Sequence, residues 1–578
     1  MSYENLIRAA KGEIPFDIVI RGTKLVNVLT GEIYNADIGI TGNKISFVGE
    51  MKNFRAKKII DADGMYAIPG LVDSHLHIES SMVTPPRFAE AVLPHGTTTA
   101  AIDPHEIANV LGKEGVRMML DSSEGLPLKV LVLAPTCVPA VLDAETAGAE
   151  IFAKDVREML QWKRVIGLAE VMDYFGVINL DKRMTEIVKA GIEANIVLDG
   201  HCMGLDDKGL NAYASTGIEA NHEFFPTSSE DFENIRKQMR LGMFAKLRKL
   251  ELLPEIVEQL NNMLSLQQTL LVTDDIMPDD LSKRGHLDDV IRTAIQNGFD
   301  SLEAVQSATL YPARHLCLFD RGSISPGKLA DILLLRDLDE FIINVVFADG
   351  IIVAKDRKMV TELPFHEFPQ RAKETVKIPK VSEDDFKIRV NIKRGWTKVR
   401  IIEMQNLLST FKIEEIEVKD HILQNGLTTT VAVFERHGRT KNRSLGLIEK
   451  FGLNKGAIAS TISHDSHNLI VIGVKPDDMV VAANALIDCQ GGLVVVRNGD
   501  IQARVELPVA GIMSEENLET VASKVRAFRD AEEKLGVVDC GTILAISTLA
   551  LPVIPHARIT DKGLFDVDKQ QLVPLIIE

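Results

Sequence analysis

The chain has 578 residues, of which 46% are hydrophobic and 25% charged, and its formal net charge at pH 7 is −17. This length exceeds what one hydrophobic core usually holds, so we expect several domains. The acidic balance and the lack of a long basic run argue against a nucleic-acid partner, which would need a basic face.

The cysteines and the apolar segments narrow the class of protein further. There are five scattered cysteines without a CxxC pair, which argues against a disulfide framework or a thiolate zinc site. No apolar stretch reaches the roughly 20 residues of a membrane helix, and the N-terminus has no signal-peptide pattern. We therefore expect a cytoplasmic protein without a membrane partner.

Residues 1–68 have the pattern of a small β-domain. Asp17–Leu29, Ala36–Ile40 and Lys44–Val48 are rich in β-branched residues and are separated by tight turns, which is typical of closely spaced strands. Residues 319–378 return to the same pattern. We expect the two pieces to pair and to form one small β-sandwich into which the intervening chain is inserted.

Residues 69–318 alternate short apolar runs with amphipathic stretches of helical length. Eight runs are predicted strands: Leu71–His77, Thr97–Asp103, Lys129–Ala134, Val165–Val171, Asn195–His201, Ile218–Glu223, Gly242–Leu247 and Thr269–Asp274. Eight strand–helix repeats predict a (β/α)8 barrel of the TIM type. The remaining residues, 379–578, mix strands and helices and predict a C-terminal α+β domain.

Good metal ligands recur at the C-terminal ends of the predicted barrel strands. They are His75, His77, Glu170, His201, His222 and Asp274. A single histidine at a strand end is more often a packing or capping residue, but five strand ends of one barrel converge on the same mouth. Four imidazoles and two carboxylates suit divalent first-row metals, and six ligands suggest two ions with Glu170 bridging them. Asp274 could serve both as a ligand and as the base.

A second polar group follows the second strand, and its role stays open. Asp103 can cap the next helix, but capping does not explain His105 and Glu106 beside it, so substrate binding or proton transfer is an equal alternative. Glu79 and Ser80, after the first strand, could line the pocket or cap a helix. Asp275 and Glu223 each follow a predicted ligand, and strand alternation would point them away, which favours a structural role, although a twist of the strand end could still turn Asp275 inward.

A polar segment of the C-terminal region, Ser463–Asn468, also leaves alternatives open. A turn held by side-chain hydrogen bonds is the favoured interpretation. The segment could instead reach the barrel mouth or bind a further metal.

These motifs together resemble the adenine deaminase family of the amidohydrolase superfamily. The matching stretches cover nearly the whole chain: Pro69–Met82, Asp103–Val110, Ala169–Met172, Asp199–His201, Asn221–Glu223, Val272–Asp275, Pro278–Leu281, Gly285–Asp288, Gly322–Asp331, Lys455–Ser460, His464–Asn468 and Leu551–Pro555. The resemblance implies hydrolysis of adenine to hypoxanthine and ammonia, as in purine salvage. It also implies that the six strand-end residues bind a binuclear divalent centre of Mn²⁺ or Fe²⁺ in preference to Zn²⁺.

The resemblance, added to the residue pattern, assigns roles. The predicted catalytic residues are Asp274, Glu170, His105 and Asp103, and the predicted substrate-binding residues are Glu79, Ser80 and Glu106. The chain departs from the family pattern in the loops after His201 and around His222, and in Arg248–Leu253. These departures leave the ligands intact but put the base specificity in doubt.

Other functions remain as alternatives to adenine hydrolysis. Cyclic amide hydrolysis or amino-sugar deacetylation would use a similar barrel, although cyclic amidases would carry a lysine at Glu170. A barrel that keeps metal only for structural or partner-binding reasons is a third alternative. The small zinc deaminases are excluded because the chain has no PCxxC motif. We expect a small-molecule substrate and a homo-oligomer.

Overall fold

The computed structural model describes residues 3–222, 229–248, 254–405, 408–424, 428–537 and 542–577. A short helix and five strands open the chain: α1 (Tyr3–Ala10), β1 (Phe16–Asn27), β2 (Glu32–Thr41), β3 (Lys44–Gly49), β4 (Ala56–Asp61) and β5 (Tyr66–Pro69). β1 pairs antiparallel with β2 and parallel with both β4 and β5, so it organises this part of the chain.

Eight parallel strands of the described chain then form the barrel, as predicted. They are β6 (Leu71–Leu76), β7 (Thr97–Ile102), β8 (Lys129–Ala134), β9 (Val165–Val171), β10 (Val197–Gly200), β11 (Ala220–Asn221), β12 (Phe244–Leu247) and β13 (Thr269–Leu271). Each strand pairs with the next along the chain. A bridge between Leu76 and Asp274 joins the last strand to the first. β6 and β7 are buried along their whole length although half of their residues are polar, whereas β8 and β9 are the mostly apolar runs typical of strands covered on both faces.

Helices separate the barrel strands and extend the segment beyond them. They are α2 (Pro85–Val92), α3 (His105–Ser122), α4 (Ala153–Met159), α5 (Tyr174–Ile178), α6 (Lys182–Ala194), α7 (Asp207–Ala214), α8 (Ser229–Arg240), α9 (Pro254–Asn261), α10 (Pro278–Arg284), α11 (Leu287–Gln296), α12 (Ser301–Ser307) and α13 (Leu310–His315). Side-chain caps fix several starts; Asp181, for example, accepts from Met184 N. Among the helices described, none has the length and apolar character needed to cross a membrane.

Four further strands return to the first sheet. They are β14 (Ile332–Asp337), β15 (Ile342–Ala348), β16 (Ile351–Lys355) and β17 (Lys358–Met359). β14 pairs antiparallel with β5, so both ends of the barrel segment enter one sheet, whose order is β17-β16-β15-β14-β5-β1-β2-β3 with β4 beside β1. Strands from both pieces share a buried core that includes Ile38, Ala67, Ile332 and Phe347. The expected pairing of residues 319–378 with the N-terminal strands is therefore confirmed.

The C-terminal part of the chain is α+β, as predicted. Its strands are β18 (Arg394–Gln405), β19 (Leu408–Lys419), β20 (Ile422–Leu423), β21 (Thr429–Phe434), β22 (Arg443–Glu449), β23 (Ala457–Ser460), β24 (Leu469–Gly473), β25 (Gly492–Arg497), β26 (Asp500–Glu506), β27 (Ala557–Thr560), β28 (Gly563–Asp566), β29 (Gln571–Val573) and β30 (Ile576–Ile577). Its helices are α14 (Pro476–Cys489), α15 (Leu518–Glu533) and α16 (Thr542–Leu549). The side chain of Asn468 donates to Thr146 O at 2.9 Å, and Arg529 Nε donates to Asp279 Oδ2 at 2.7 Å. These bonds attach this part of the chain to the barrel loops.

Candidate active site

The six predicted ligands meet at the C-terminal mouth of the barrel. His75 and Glu170 lie near the ends of β6 and β9, and the other four lie just beyond the ends of β6, β10, β11 and β13. All six side chains are buried, with residue exposures of 7% or less. Asp274 has a φ of +54°, a conformation that Asp enters more readily than most residues. Because parallel barrel strands end at one mouth, side chains up to 199 positions apart become neighbours.

Glu170 occupies the middle of this cluster. Its Oε2 is 2.9 Å from His201 Nδ1 and 3.4 Å from His222 Nε2, whereas its Oε1 is 3.5 Å from His77 Nε2. The two oxygens thus face different imidazoles, as a bridging carboxylate must. Burial alone would raise the pKa of the Glu170 carboxyl, but the His201 hydrogen bond and the nearby imidazoles hold that pKa well below its usual value.

Asp274 closes the opposite side of the cluster. Its Oδ1 is 3.3 Å from Nε2 of both His75 and His77, and its Oδ2 is 3.9 Å from His222 Nε2. Arg248 Nη1 contacts the same Oδ2. Burial opposes ionisation of Asp274, yet the Arg248 guanidinium and the imidazoles hold its pKa well below the usual value. No sequence pattern predicts this ion pair; the only signal is a basic residue directly after β12.

The donor set fits divalent cations. Both ring nitrogens of His75 and Nδ1 of His222 are buried without a hydrogen-bond partner among the described residues. His77 Nδ1 lies 2.9 Å from the carbonyl oxygen of Asp103, so it donates there and leaves the lone pair of Nε2 for a ligand. Buried nitrogens of this kind are costly unless something binds them, and a cation would do so.

The Asp103-His105-Glu106 group stands beside the cluster at the start of α3. Asp103 Oδ1 accepts from His105 N at 3.1 Å, and its Oδ2 lies 3.0 Å from His105 Nδ1. Asp103 therefore both holds the helix start and orients the imidazole. His105 Nδ1 is also 3.6 Å from Glu170 Oε1. The geometry is compatible with both roles that the sequence leaves open.

The two residues predicted after the first strand have different surroundings. Glu79 Oε1 accepts from Ile107 N at 3.2 Å, and burial together with nearby Glu106 raises the pKa of the Glu79 carboxyl to about 7. Ser80 Oγ donates to Asp275 Oδ1. Asp275 lines the cavity described next, whereas Glu79 and Ser80 are absent from the described lining. The position of Asp275 thus fits the twisted strand end that was left open and not regular alternation, and Glu223 lies outside the described residues.

A cavity lies above the cluster and has two unlike walls. The barrel supplies carboxylates and imidazoles, including Glu106. The C-terminal part supplies an apolar wall made of Leu544, Thr548, Leu551, Val553 and Ile554. A flat base with polar edges and apolar faces would match both walls.

The polar segment Ser463–Asn468 reaches this mouth and also forms a turn. His467 N donates to Ser463 O at 2.7 Å, while His464 and Asp465 line the cavity. The favoured interpretation as a turn is thus correct locally but incomplete. The contacts of this segment with the barrel could not be predicted from its own sequence.

Comparison with known proteins gives matches along nearly the whole chain. The model of the Amidohydrolase family matches residues 66–353, and that of the Adenine deaminase C-terminal domain matches residues 406–571. An adenine deaminase of Moorella thermoacetica is 38% identical, with 99% of this chain and 97% of that protein covered. An adenine deaminase of Brucella anthropi is 40% identical, with 98% of this chain and 99% of that protein covered. Adenine deaminase 2 of Rhizobium meliloti is also 40% identical, with 98% of this chain and 95% of that protein covered.

Proposed function

Because the chain belongs to the adenine deaminase family of amidohydrolases, we propose that it hydrolyses adenine to hypoxanthine and ammonia. The observation that carries the proposal is the two-walled cavity, where five of the six buried strand-end residues, all except His75, face an apolar surface. The apolar wall suits the faces of a purine, and the charged wall suits its nitrogen edges.

The six strand-end residues would hold a divalent pair, Mn²⁺ or Fe²⁺, to which Glu170 would offer both carboxylate oxygens. The opposed oxygens of Glu170 and the unpartnered nitrogens of His75 support this assignment. When bound, such a pair supplies a water whose pKa has fallen to about 7.

Asp274 is the proposed base. It lines the cavity and lies among His75, His77 and His222, where a carboxylate can take a proton from the attacking water. Water adds to C6 of adenine, and Asp274 returns the proton to the amino nitrogen, which leaves as ammonia. The proton of the C6 hydroxyl then returns to the group that protonated the ring nitrogen, as the carbonyl of hypoxanthine forms. Arg248 stabilises the ionised form that can accept this proton.

A second group must protonate a ring nitrogen as C6 becomes tetrahedral. The cavity offers His105, Glu106 and Asp275 for this role. Asp103 acts on His105 by orienting its ring. The apolar wall keeps bulk water from the opposite face of the base, which strengthens every electrostatic contact inside.

The test is a substrate panel on the full-length protein. Metal-free protein is loaded with Mn²⁺ and incubated with adenine, other purines, pyrimidines and cyclic amides, while ultraviolet spectra and ammonia are recorded. We expect hypoxanthine and ammonia in equal amounts from adenine, and neither after chelation. Ring opening of a cyclic amide without ammonia release from adenine would instead support the alternative amidohydrolase reaction.

A further inference from the structure

A second buried cluster of metal-ligating side chains joins the barrel to the C-terminal part. His105 and Glu106 come from the start of α3, and His464 and Asp465 come from the loop between β23 and β24. One possible ligand atom from each residue lies within 4.8 Å of all the others. All four side chains are buried, and Asp465 is 0% exposed. None of the six strand-end ligands belongs to this cluster.

The distances within the cluster match those between ligands of one small cation. Glu106 Oε1 is 3.4 Å from His105 Nε2 and 2.8 Å from His464 Nδ1. Asp465 Oδ1 is 3.7 Å from His105 Nε2 and 3.6 Å from His464 Nδ1. Ligands bound tetrahedrally at about 2.0–2.1 Å stand about 3.3 Å from one another.

The carboxylates have charge that the described residues do not satisfy by hydrogen bonds. Both oxygens of Asp465 are buried without a hydrogen-bond partner within the described part of the chain, and the imidazoles of His105 and His464 face Oε1 of Glu106. Burying an ionised carboxylate without a positive partner costs much free energy. Neighbouring imidazoles lower that cost only if the rings are protonated, or if a cation lies between them and the carboxylate. With neutral rings, a divalent cation would balance both negative charges.

The surrounding hydrogen bonds aim the two α3 ligands at the same point. His105 Nδ1 donates to Asp103 Oδ2 at 3.0 Å, so its Nε2 lone pair faces Glu106 and Asp465. A carboxylate behind the imidazole is the usual outer partner of a metal-binding histidine. His467 Nδ1 accepts from Ser463 N at 3.3 Å, and its Nε2 contacts Glu106 Oε2, which leaves Oε1 for an ion.

We infer that His105, Glu106, His464 and Asp465 bind a further divalent first-row cation, separate from the pair at the strand ends. Two nitrogen and two oxygen ligands suit Mn²⁺, Fe²⁺ or Zn²⁺. The ion would fasten the loop between β23 and β24 to α3 and so hold the C-terminal wall over the cavity. Asp275 then remains as the proton donor for the ring nitrogen.

The test counts ions on the full-length protein. Metal-free wild type and the variants His464→Gln and Asp465→Asn are dialysed to equilibrium against buffered Mn²⁺, and bound manganese is measured by mass spectrometry. We expect three equivalents in the wild type and two in each variant. The surface variant His556→Gln, whose histidine is half exposed and pairs with Asp568, is the matched control and should bind three.

Two results would overturn the inference. One is a count of two bound manganese ions per chain in the wild type, a result that needs no variant. It would mean that the imidazoles of the cluster are protonated and pair directly with the carboxylates. The other is a count of three in a folded variant. Two variants are used so that failure of one to fold leaves the other, and circular dichroism checks each. Adenine turnover by wild type holding two equivalents would leave the proposed function intact while this inference fell.

Discussion

Two carboxylates carry the charge at the strand-end centre, and they differ in their surroundings. Glu170 is contacted by imidazoles on both oxygens, whereas Asp274 is contacted by imidazoles on one side and by Arg248 on the other. Only Asp274 combines a cavity-facing position with a cationic partner that favours its ionised form. This difference is why we propose Asp274 as the base.

Replacing Asp274 by Asn should therefore stop the reaction without unfolding the chain. An amide keeps the shape but accepts no proton at neutral pH, so we expect kcat for adenine to fall by about 10³-fold. Asp488→Asn, which removes an exposed carboxylate paired with Lys380, is the control and should keep wild-type turnover. Unchanged kcat in folded Asp274→Asn would remove the assigned role.

His286, which does not line the cavity, should make the free energy of unfolding of the protein depend on pH. Burial lowers the pKa of its imidazole from 6.5 to about 3, and its two nitrogens lie 2.9 Å from Thr97 Oγ1 and 3.3 Å from Thr273 Oγ1. Between these two pH values the unfolded chain binds the proton and the folded chain does not. The free energy of unfolding contributed by this site is thus lost as pH falls from 6.5 toward 3.

His286→Gln should flatten this part of the stability profile. The wild type is expected to lose up to about 1.4 kcal/mol per pH unit through this residue, and the variant should lose that much less, whatever its starting stability. Urea unfolding at several pH values between 4 and 6.5 measures the slope. The exposed control His366→Gln should follow the wild type, and parallel wild-type and His286→Gln profiles would contradict the assignment.

Among the elements, the barrel strands and the ligands at their ends are what sequence could predict. Buried parallel strands favour apolar runs such as those of β8 and β9, and a histidine or carboxylate at the end of such a run is conspicuous. Asp275 could not be placed in this way. Strand alternation would turn it away, but Asp274 leaves the β conformation with a φ of +54°, so both consecutive carboxylates reach the cavity.

The loop between β23 and β24 depends on one buried guanidinium. Arg436 donates to Thr375 Oγ1 at 3.0 Å and to Ala510 O at 2.8 Å, and it also contacts His467 O. Burial lowers the pKa of Arg436 to about 9, and it is still charged at neutral pH. This side chain holds the backbone of the polar segment whose histidines face the cavity.

Arg436→Gln should destabilise the protein by about 2–4 kcal/mol, because several hydrogen bonds to a charged donor are lost and their acceptors stay buried. Denaturant unfolding gives the value. Arg504→Gln removes an arginine that pairs with Glu506 at the surface and should change stability by less than about 1 kcal/mol. Equal effects of the two substitutions would show that burial of Arg436 contributes nothing.

At the scale of the molecule, the cavity is built by parts far apart in the chain. Glu106 and His464 are separated by more than 350 residues, yet their side chains are 2.8 Å apart. No local pattern encodes such a contact, which depends on how the C-terminal part packs on the barrel loops. This is why the fold and the meeting of the six strand-end residues were predictable, whereas the cavity wall and the Arg248 ion pair were not.

Metal loading should stabilise the whole barrel, because its ligands come from five strand ends. At free Mn²⁺ of 100 times Kd, each bound ion adds about 2.7 kcal/mol, equivalent to a rise of about 5 °C in the Tm of a barrel of about 250 residues. Calorimetry of chelated and Mn²⁺-loaded protein measures the rise. His77→Asn should show a smaller rise in Tm on loading with Mn²⁺. A wild-type Tm that does not change with Mn²⁺ would argue against a cation among these residues.

The pairing of β5 with β14 has a consequence for synthesis on the ribosome. β5 ends at Pro69 and β14 begins at Ile332, so the N-terminal strands leave the ribosome long before the strand that completes their sheet. At about 5–20 residues per second, one edge of β5 waits tens of seconds for its neighbour. During that interval a bare strand edge can recruit other chains, so chaperone binding to nascent chains should concentrate before Ile332 emerges.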